Sequence, residues 1–264
     1  MTRAVFFDID GTLVSFNTHC ISEASKKALA ELRRKGVKTF IATGRHLMAI
    51  NMLEDLSFDG YITMNGGICL AGKETVVYSH PVNPEDVRAL VRYLETRESF
   101  PVIFVREKDS FITCLDSESG REKVNRILEM LNYPLPPRRN LSEALQGDVF
   151  QVIAFFPEEQ EAEIMQHMPH CETTRWNPLF ADIIPQGSGK HIGIDRIIQH
   201  FGIEHSQTMA FGDGGNDISM LRHVATGVAM GNAKDEVKQN ADYVTLSVDE
   251  DGVSHALKHF GLID

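Results

Sequence analysis

Cysteine is too sparse and too scattered in this chain to staple it or to hold a metal. Cys20, Cys69, Cys114 and Cys171 stand alone with no CxxC pair, which excludes a zinc site and fits reduced thiols in a cytoplasmic protein. Basic charge is also in deficit: 26 Lys and Arg face 37 Asp and Glu, a formal net charge of −11. General nucleic-acid binders and anionic-membrane binders both need a basic face, so neither nucleic acid nor membrane is expected as a partner. Positive charge for any anionic ligand has to be supplied locally. No apolar run approaches the roughly eighteen residues a membrane helix requires, and no charged N-terminal segment leads into one. No feature calls for an obligate protein partner. With 264 residues, 42% of them hydrophobic, the chain can fill one large core or two modest ones.

What is present begins at once. Ala4, Val5, Phe6 and Phe7 run into Asp8, Ile9, Asp10, Gly11, Thr12 and Leu13. A continuous apolar run of this kind reads as a strand buried on both faces, as in a helix-covered parallel sheet. The two carboxylates then lie at its C-terminal end, the edge where open α/β sheets bind ligands. Two residues apart on extended backbone, Asp8 and Asp10 can share one side, and their repulsion is relieved by a hard cation or a shared proton. An Asx-type turn that merely ends the strand is the duller reading of these residues alone. An EF-hand fails on spacing, because counting from Asp8 puts Leu13 at the glycine position and His19 at the bidentate glutamate.

The same rhythm recurs. Ser22 caps a helix that stops at Gly36, and strand 37–42 delivers Thr43 and Gly44; a helix bearing Met48, Met52, Leu53 and Leu56 is expected next, then strand 61–64 and a hairpin at Asn65, Gly66 and Gly67. Between 82 and 185 the pattern changes to short, hairpin-linked strands with amphipathic helices, including one over 159–168, which implies an antiparallel sheet with helices on one face. After Gln186 to Gly189 the α/β alternation returns, with Lys190 opening a helix and strand 208–212 emptying into Asp213, Gly214, Gly215, Asn216 and Asp217. The fold class is therefore α/β: a Rossmann-like parallel-sheet core formed by 1–81 and 186–264, split by an inserted α+β domain over 82–185.

Strand ends in one parallel sheet lie along one edge, so Asp8, Asp10, Thr43, Gly44, Asp213, Asn216 and Asp217 can converge, with Lys190 at a helix start beside them. Acids, amide, hydroxyl and amine together suit a phosphate with Mg²⁺. A P-loop is excluded at Gly187 to Lys190, since Ile184 stands where its first glycine belongs and His191 replaces the Ser/Thr. Gly212 to Asp217 as a calcium-binding repeat fails because it occurs once.

These four segments, DIDGTL at 8–13, Thr43-Gly44, Lys190 and GDGGND at 212–217, resemble the four motifs of the haloacid dehalogenase-like phosphatases. The insert resembles the C2-type (C2B) cap of their Cof-like subgroup, although His191 stands where that subgroup often has glycine. The resemblance implies a Mg²⁺-dependent phosphatase of small phosphorylated metabolites, with Asp8 as nucleophile and Asp10 as acid/base. Asp8, Asp213 and the backbone carbonyl of Asp10 would hold the metal, Asp217 would support it, and Thr43, Gly44, Lys190 and Asn216 would hold the phosphate. Hinges near 81 and 186 would let the cap shut. Arg45, Arg175, Trp176, Asn177 and Asp182 are candidate substrate contacts, and a hydroxyl-rich body such as a sugar phosphate suits them. A phosphosugar mutase and a receiver-like phosphoryl-accepting module are the competing functions; phosphate release separates the first, a stable phosphoprotein the second.

Overall fold

A computed structural model describes residues 1–53, 56–97 and 99–264. In chain order the elements are β1 (Ala4–Phe7), α1 (Glu23–Arg34), β2 (Lys38–Ala42), β3 (Gly60–Thr63), β4 (Ile68–Ala71), β5 (Thr75–Ser79), α2 (Pro84–Thr96), β6 (Val102–Arg106), β7 (Ser110–Thr113), α3 (Glu118–Met130), β8 (Val149–Ala154), α4 (Glu161–Met165), β9 (Cys171–Thr174), β10 (Ala181–Pro185), α5 (Lys190–Phe201), β11 (Thr208–Gly212), α6 (Ile218–His223), β12 (Thr226–Ala229), α7 (Asp235–Lys238), β13 (Tyr243–Val244) and α8 (Gly252–His259). They form two compact units, Met1–Ser79 with Gly189–Asp264, and His80–Ser188. Each is taken by itself. No helix among the described residues is long and apolar enough to cross a membrane.

The first unit is built on an eight-stranded sheet in the order β13-β12-β11-β1-β2-β3-β4-β5. All neighbours are parallel up to β3, after which β4 and β5 turn back antiparallel. β1 sits at the centre between β11 and β2, and all four of its residues are fully buried. Its phenylalanines stack on those of both neighbours: Phe6 on Phe40 with ring centres 4.8 Å apart, and Phe7 on Phe211 at 5.2 Å. Each such ring contributes roughly 1.5–3 kcal/mol by leaving water, so apolar burial on both faces fixes the central strands and the carboxylates sit at their ends. α1 starts as its sequence indicates, with the Ser22 hydroxyl accepting from the Ser25 amide, and Gly36 follows its end at φ 78°.

The stretch after β2 departs from expectation. Instead of a helix through Met48 and Met52, two 3₁₀ turns form at Leu47–Ala49 and Asn51–Leu53, and Met48 is 72% exposed. The physical cause is competition for backbone groups: the His46 ring accepts from the Met48 amide, and Arg45 donates to the Ala49 carbonyl that an α-helix would offer to Leu53. The expected helix also runs through residues 54–55, outside the described residues. In the second unit the helix expected over 159–168 contracts to α4 with a 3₁₀ turn before it at Glu158–Gln160.

The second unit is a five-stranded antiparallel sheet in the order β7-β6-β8-β10-β9. One face, carrying Val102, Phe104, Val152, Ala154, Ala181 and Ile183, packs on Val87, Leu90, Val91 and Leu94 of α2. The alternation of a strand places Gln151, Ile153 and Asp182 on the other face.

Gly227, inside β12, shows how tightly the first unit is closed: a Cβ there would stand 2.1 Å from the carbonyl oxygen of Leu221 at the end of α6. Backbone cannot yield as a side-chain tip can. Gly227→Ala is therefore expected to destabilise the protein by about 1–3 kcal/mol in urea unfolding at constant slope; a change within about 0.5 kcal/mol would show that the α6 end gives way.

Candidate functional site

The C-terminal ends of β1 and β11 and the first residue of α5 meet at a buried charge cluster. The Lys190 ammonium donates to Asp8 Oδ1 at 2.7 Å and to Asp217 Oδ1 at 2.5 Å, with its side chain fully buried. Asp217 is fixed further through its other oxygen, which accepts the amides of Asp213 at 3.0 Å and Gly214 at 2.8 Å. Asp213 is held by Thr12, whose hydroxyl donates to Oδ1 at 2.9 Å. Glycines permit these approaches: a Cβ on Gly11 would lie 2.2 Å from Asp213 Oδ2, and Gly11 also has φ +84°.

Charge balance defines the chemistry. Burial, and then the neighbouring Asp217 charge, push Asp8 up from 3.8 to about 7 despite Lys190. Burial also raises Asp213 well above the ordinary carboxylate range, with Asp8 and Asp217 adding to it. Burial alone would discharge Lys190, but the charges of Asp217 and Asp8 outweigh it and raise its pKa. Three carboxylates around one ammonium lack two positive charges, which is the charge of one divalent cation. Oxygens of Asp8, Asp213 and Asp217 lie within 4.8 Å of one another, and a compact all-oxygen set of this kind fits a hard cation such as Mg²⁺.

The Asp10 side chain is not in that group. Its two oxygens accept from Arg45 Nε and a terminal guanidinium nitrogen, both at 2.7 Å. Arg45, expected against substrate, is thus engaged by Asp10 and by the Ala49 carbonyl, because it follows Thr43 and Gly44 out of the strand beside β1. The Thr43 hydroxyl is buried and accepts from the Arg45 amide at 3.0 Å. Over Gly44 lies the Asn65 amide, 3.1 Å from where a Cβ would be, and Asn216 donates to Asn65 Oδ1 at 3.0 Å. Asn216, expected to hold the phosphate, is tied through its amide nitrogen to Asn65 in this arrangement. Asn65 is buried in the left-handed region at φ 51°, and Gly66 after it, at φ 92°, passes so close that a Cβ would touch the Gly189 carbonyl at 2.4 Å. That turn, which the sequence suggests is only a hairpin, supports both the Thr43-Gly44 corner and the start of α5.

The remaining candidates lie in the second unit and are largely occupied by neighbours within it. Arg175 donates to Glu161 and covers the Phe156 ring. Trp176 stands edge-on to Phe180, and the Asn177 side-chain oxygen accepts from the Leu179 amide. Asp182 accepts from Gln151 at 3.1 Å, both buried. Sequence reasoning assigned no role to Thr12, Asn65, Gln151 or Asn232; Thr12 and Asn65 lay inside quoted motifs, whereas Gln151 and Asn232 carry no local signal.

Acidic strand ends, a buried ammonium, and a hydroxyl with adjacent amides at one edge of a parallel sheet are the parts of an α/β phosphoryl-transfer hydrolase. The haloacid dehalogenase-like hydrolase profile matches residues 5–257, and the chain belongs to that family. It is 34% identical over 264 residues to the Bacillus subtilis (strain 168) protein YkrA, whose name proposes phosphatase activity; the match covers 99% of each chain. Among solved structures, the subclass IIB sugar phosphatase BT4131 superposes with a TM-score of 0.91 at 47% identity, over 99% of this chain and 100% of that one. The phosphatase BT1666 from Bacteroides thetaiotaomicron superposes at 0.90 with 34% identity, over 100% of this chain and 96% of that one. The protein is a phosphatase of the Cof-like group.

Removing the ammonium should expose the cluster's dependence on it. Lys190→Met leaves Asp8 and Asp217 buried with no cation, a loss of about 3–5 kcal/mol for a broken buried pair. Without Lys190 the Asp8 carboxyl is pushed beyond its value of about 7, so the variant's fold favours the proton and its deficit grows as pH rises past that point. Urea unfolding of metal-free Lys190→Met should show a large deficit at pH 8 and a smaller one at pH 5.5; equal deficits would refute the charge account.

Proposed function

We propose that the protein hydrolyses small phosphate monoesters, sugar phosphates foremost, through a phosphoryl group carried on Asp8. The observation that carries this reading is the Asp8 carboxylate, fixed by Lys190 at the end of the central strand with one oxygen left for attack. Asp8 attacks phosphorus, the P–O bond to the substrate alcohol breaks, and an aspartyl phosphate forms. The leaving oxygen takes a proton from Asp10; water then attacks phosphorus, Asp10 takes its proton, and phosphate departs with Asp8 restored. In the arrangement seen, each Asp10 oxygen accepts one hydrogen bond from Arg45 and keeps a second lone pair, which is where the transferred proton would sit. Thr43, the Gly44 amide, Asn216 and Lys190 steady the transferring oxygens. Asp8, Asp213 and the Asp10 carbonyl would hold Mg²⁺, with Asp217 in support, and the ion would offset the repulsion between the attacking carboxylate and a phosphate dianion.

The inserted unit, residues 80–188, serves in this reading as a cap that selects the leaving group. The buried Gln151–Asp182 pair on the sheet face opposite α2 can exchange hydrogen bonds with hydroxyls. The sugar phosphatase BT4131, alike over the whole chain, supports the same substrate class. The −11 net charge disfavours polyanions.

Asp8→Asn should keep the fold and lose at least about 10³-fold in phosphate release, since an amide nitrogen cannot replace the attacking oxygen; near-normal turnover in a folded variant would remove the nucleophile assignment. Activity should disappear in EDTA and return with Mg²⁺. Protons compete for Asp8, so the Mg²⁺ concentration for half-activity should fall as pH rises through about 7. In a screen with Mg²⁺, hexose and pentose phosphates should give the highest kcat/KM, and a phosphopeptide or oligonucleotide end outranking them would contradict the small-ester reading.

A further inference from the structure

Asp213 differs from its neighbours in the cluster in that neutral side chains hold both its oxygens. Thr12 takes Oδ1, and the amide of Asn232 lies 3.3 Å from Oδ2. The same Asn232 nitrogen donates to the carbonyl of Gly11 at 2.9 Å. Asn232 stands just beyond β12, and its own side-chain oxygen accepts from the Val248 amide at 2.8 Å, so its amide is oriented from both ends. Next to Val248, Asp249 accepts from Ser15 at 2.5 Å and from Asn17 at 2.7 Å. The segment after β13 thus grips the loop after β1 directly and, through Asn232, ties that loop to the carboxylate at the end of β11.

We infer that Asn232 is a positioning residue for the metal-holding carboxylate: by bridging Gly11 and Asp213 it sets the distance between the loop that carries Asp8 and the second carboxylate. The inference rests on the reading of Asp213 as a Mg²⁺ ligand. An amide donates to one lone pair of Oδ2 and leaves another for a cation, and it adds no charge to an already acidic cluster. Asn232 is exposed, so its hydrogen bonds contribute little to folding compared with the buried bonds around it. Outer hydrogen bonds of this kind act on affinity: their loss costs about 10–100-fold in metal binding.

The test is calorimetric titration of Mg²⁺ alone into wild type, Asn232→Ala and Asn232→Ser, with melting of the metal-free proteins alongside. Neither short side chain can span from Gly11 to Asp213. The expected result is a Mg²⁺ dissociation constant raised about tenfold or more in both variants, with metal-free Tm close to wild type. The Mg²⁺ concentration for half-maximal phosphate release should shift with it, and KM for the ester at saturating Mg²⁺ should stay put. A folded variant that binds Mg²⁺ as wild type does overturns the inference while leaving the reading of Asp213 intact. A fall in metal-free Tm with unchanged Mg²⁺ affinity overturns it in favour of a structural role. Wild type that turns over ester but takes up no Mg²⁺ overturns the Asp213 reading and the inference together.

Discussion

A single buried ammonium holds this site in being. Lys190, the first residue of α5, lies between Asp8 and Asp217 with no access to water, and all three come from segments far apart in the chain. Ion pairs that deep seldom repay their desolvation, so the arrangement is no device for stability. It is imposed by apolar burial elsewhere: the phenylalanine stacks of β1, β2 and β11 fix strand register, and register fixes where the carboxylates end up. The cluster then sits short of positive charge, which raises Asp8 and Asp213 and makes the site receptive to a divalent cation.

Most of this was legible because its signals are local. An apolar run that ends in Asp8 and Asp10, or in Asp213 and Asp217, announces a parallel-sheet edge from its own residues. The split of the chain could be read from the change between continuous and hairpin-linked strands. Lys190 was different: alone it reads as a solvated lysine, and what singled it out was its place at a helix start beside the strand ends together with the resemblance to a family. Asn232 escaped altogether, since its partners Gly11, Asp213 and Val248 are set by tertiary placement of three loops. The error after β2 has the same origin. Spacing of Met48, Met52 and Leu53 favours a helix, but His46 and Arg45 claim the backbone groups that helix needs, and Arg45 is placed there by Asp10 from another strand.

That displacement links structure to mechanism. Arg45 could not reach the Ala49 carbonyl and Asp10 together if the chain left β2 as a regular helix carrying Met48 to Leu56 on one face. The irregular 3₁₀ exit is what delivers a guanidinium to the acid. The expectation of Arg45 against substrate treated the arginine as a cation facing the phosphate alone; the geometry also pairs it with Asp10, so a substrate contact would be made from that pair.

Polar residues in the inserted unit teach the converse. Arg175 and Asn177 look available in a sequence because their partners, Glu161 and the Leu179 amide, are not marked as such. Buried Gln151 and Asp182 look like strand residues with the wrong polarity. On one face of β8 and β10 every neighbour is apolar and packed on α2, whereas these two share the other face and satisfy each other. A buried carboxylate facing an amide costs stability that an apolar pair in the same place would not. In the proposed reading that cost is offset by a hydrogen-bonding face for the substrate alcohol, and this pair, more than the half-buried Arg175 and Asn177, is where the insert would tell one alcohol from another.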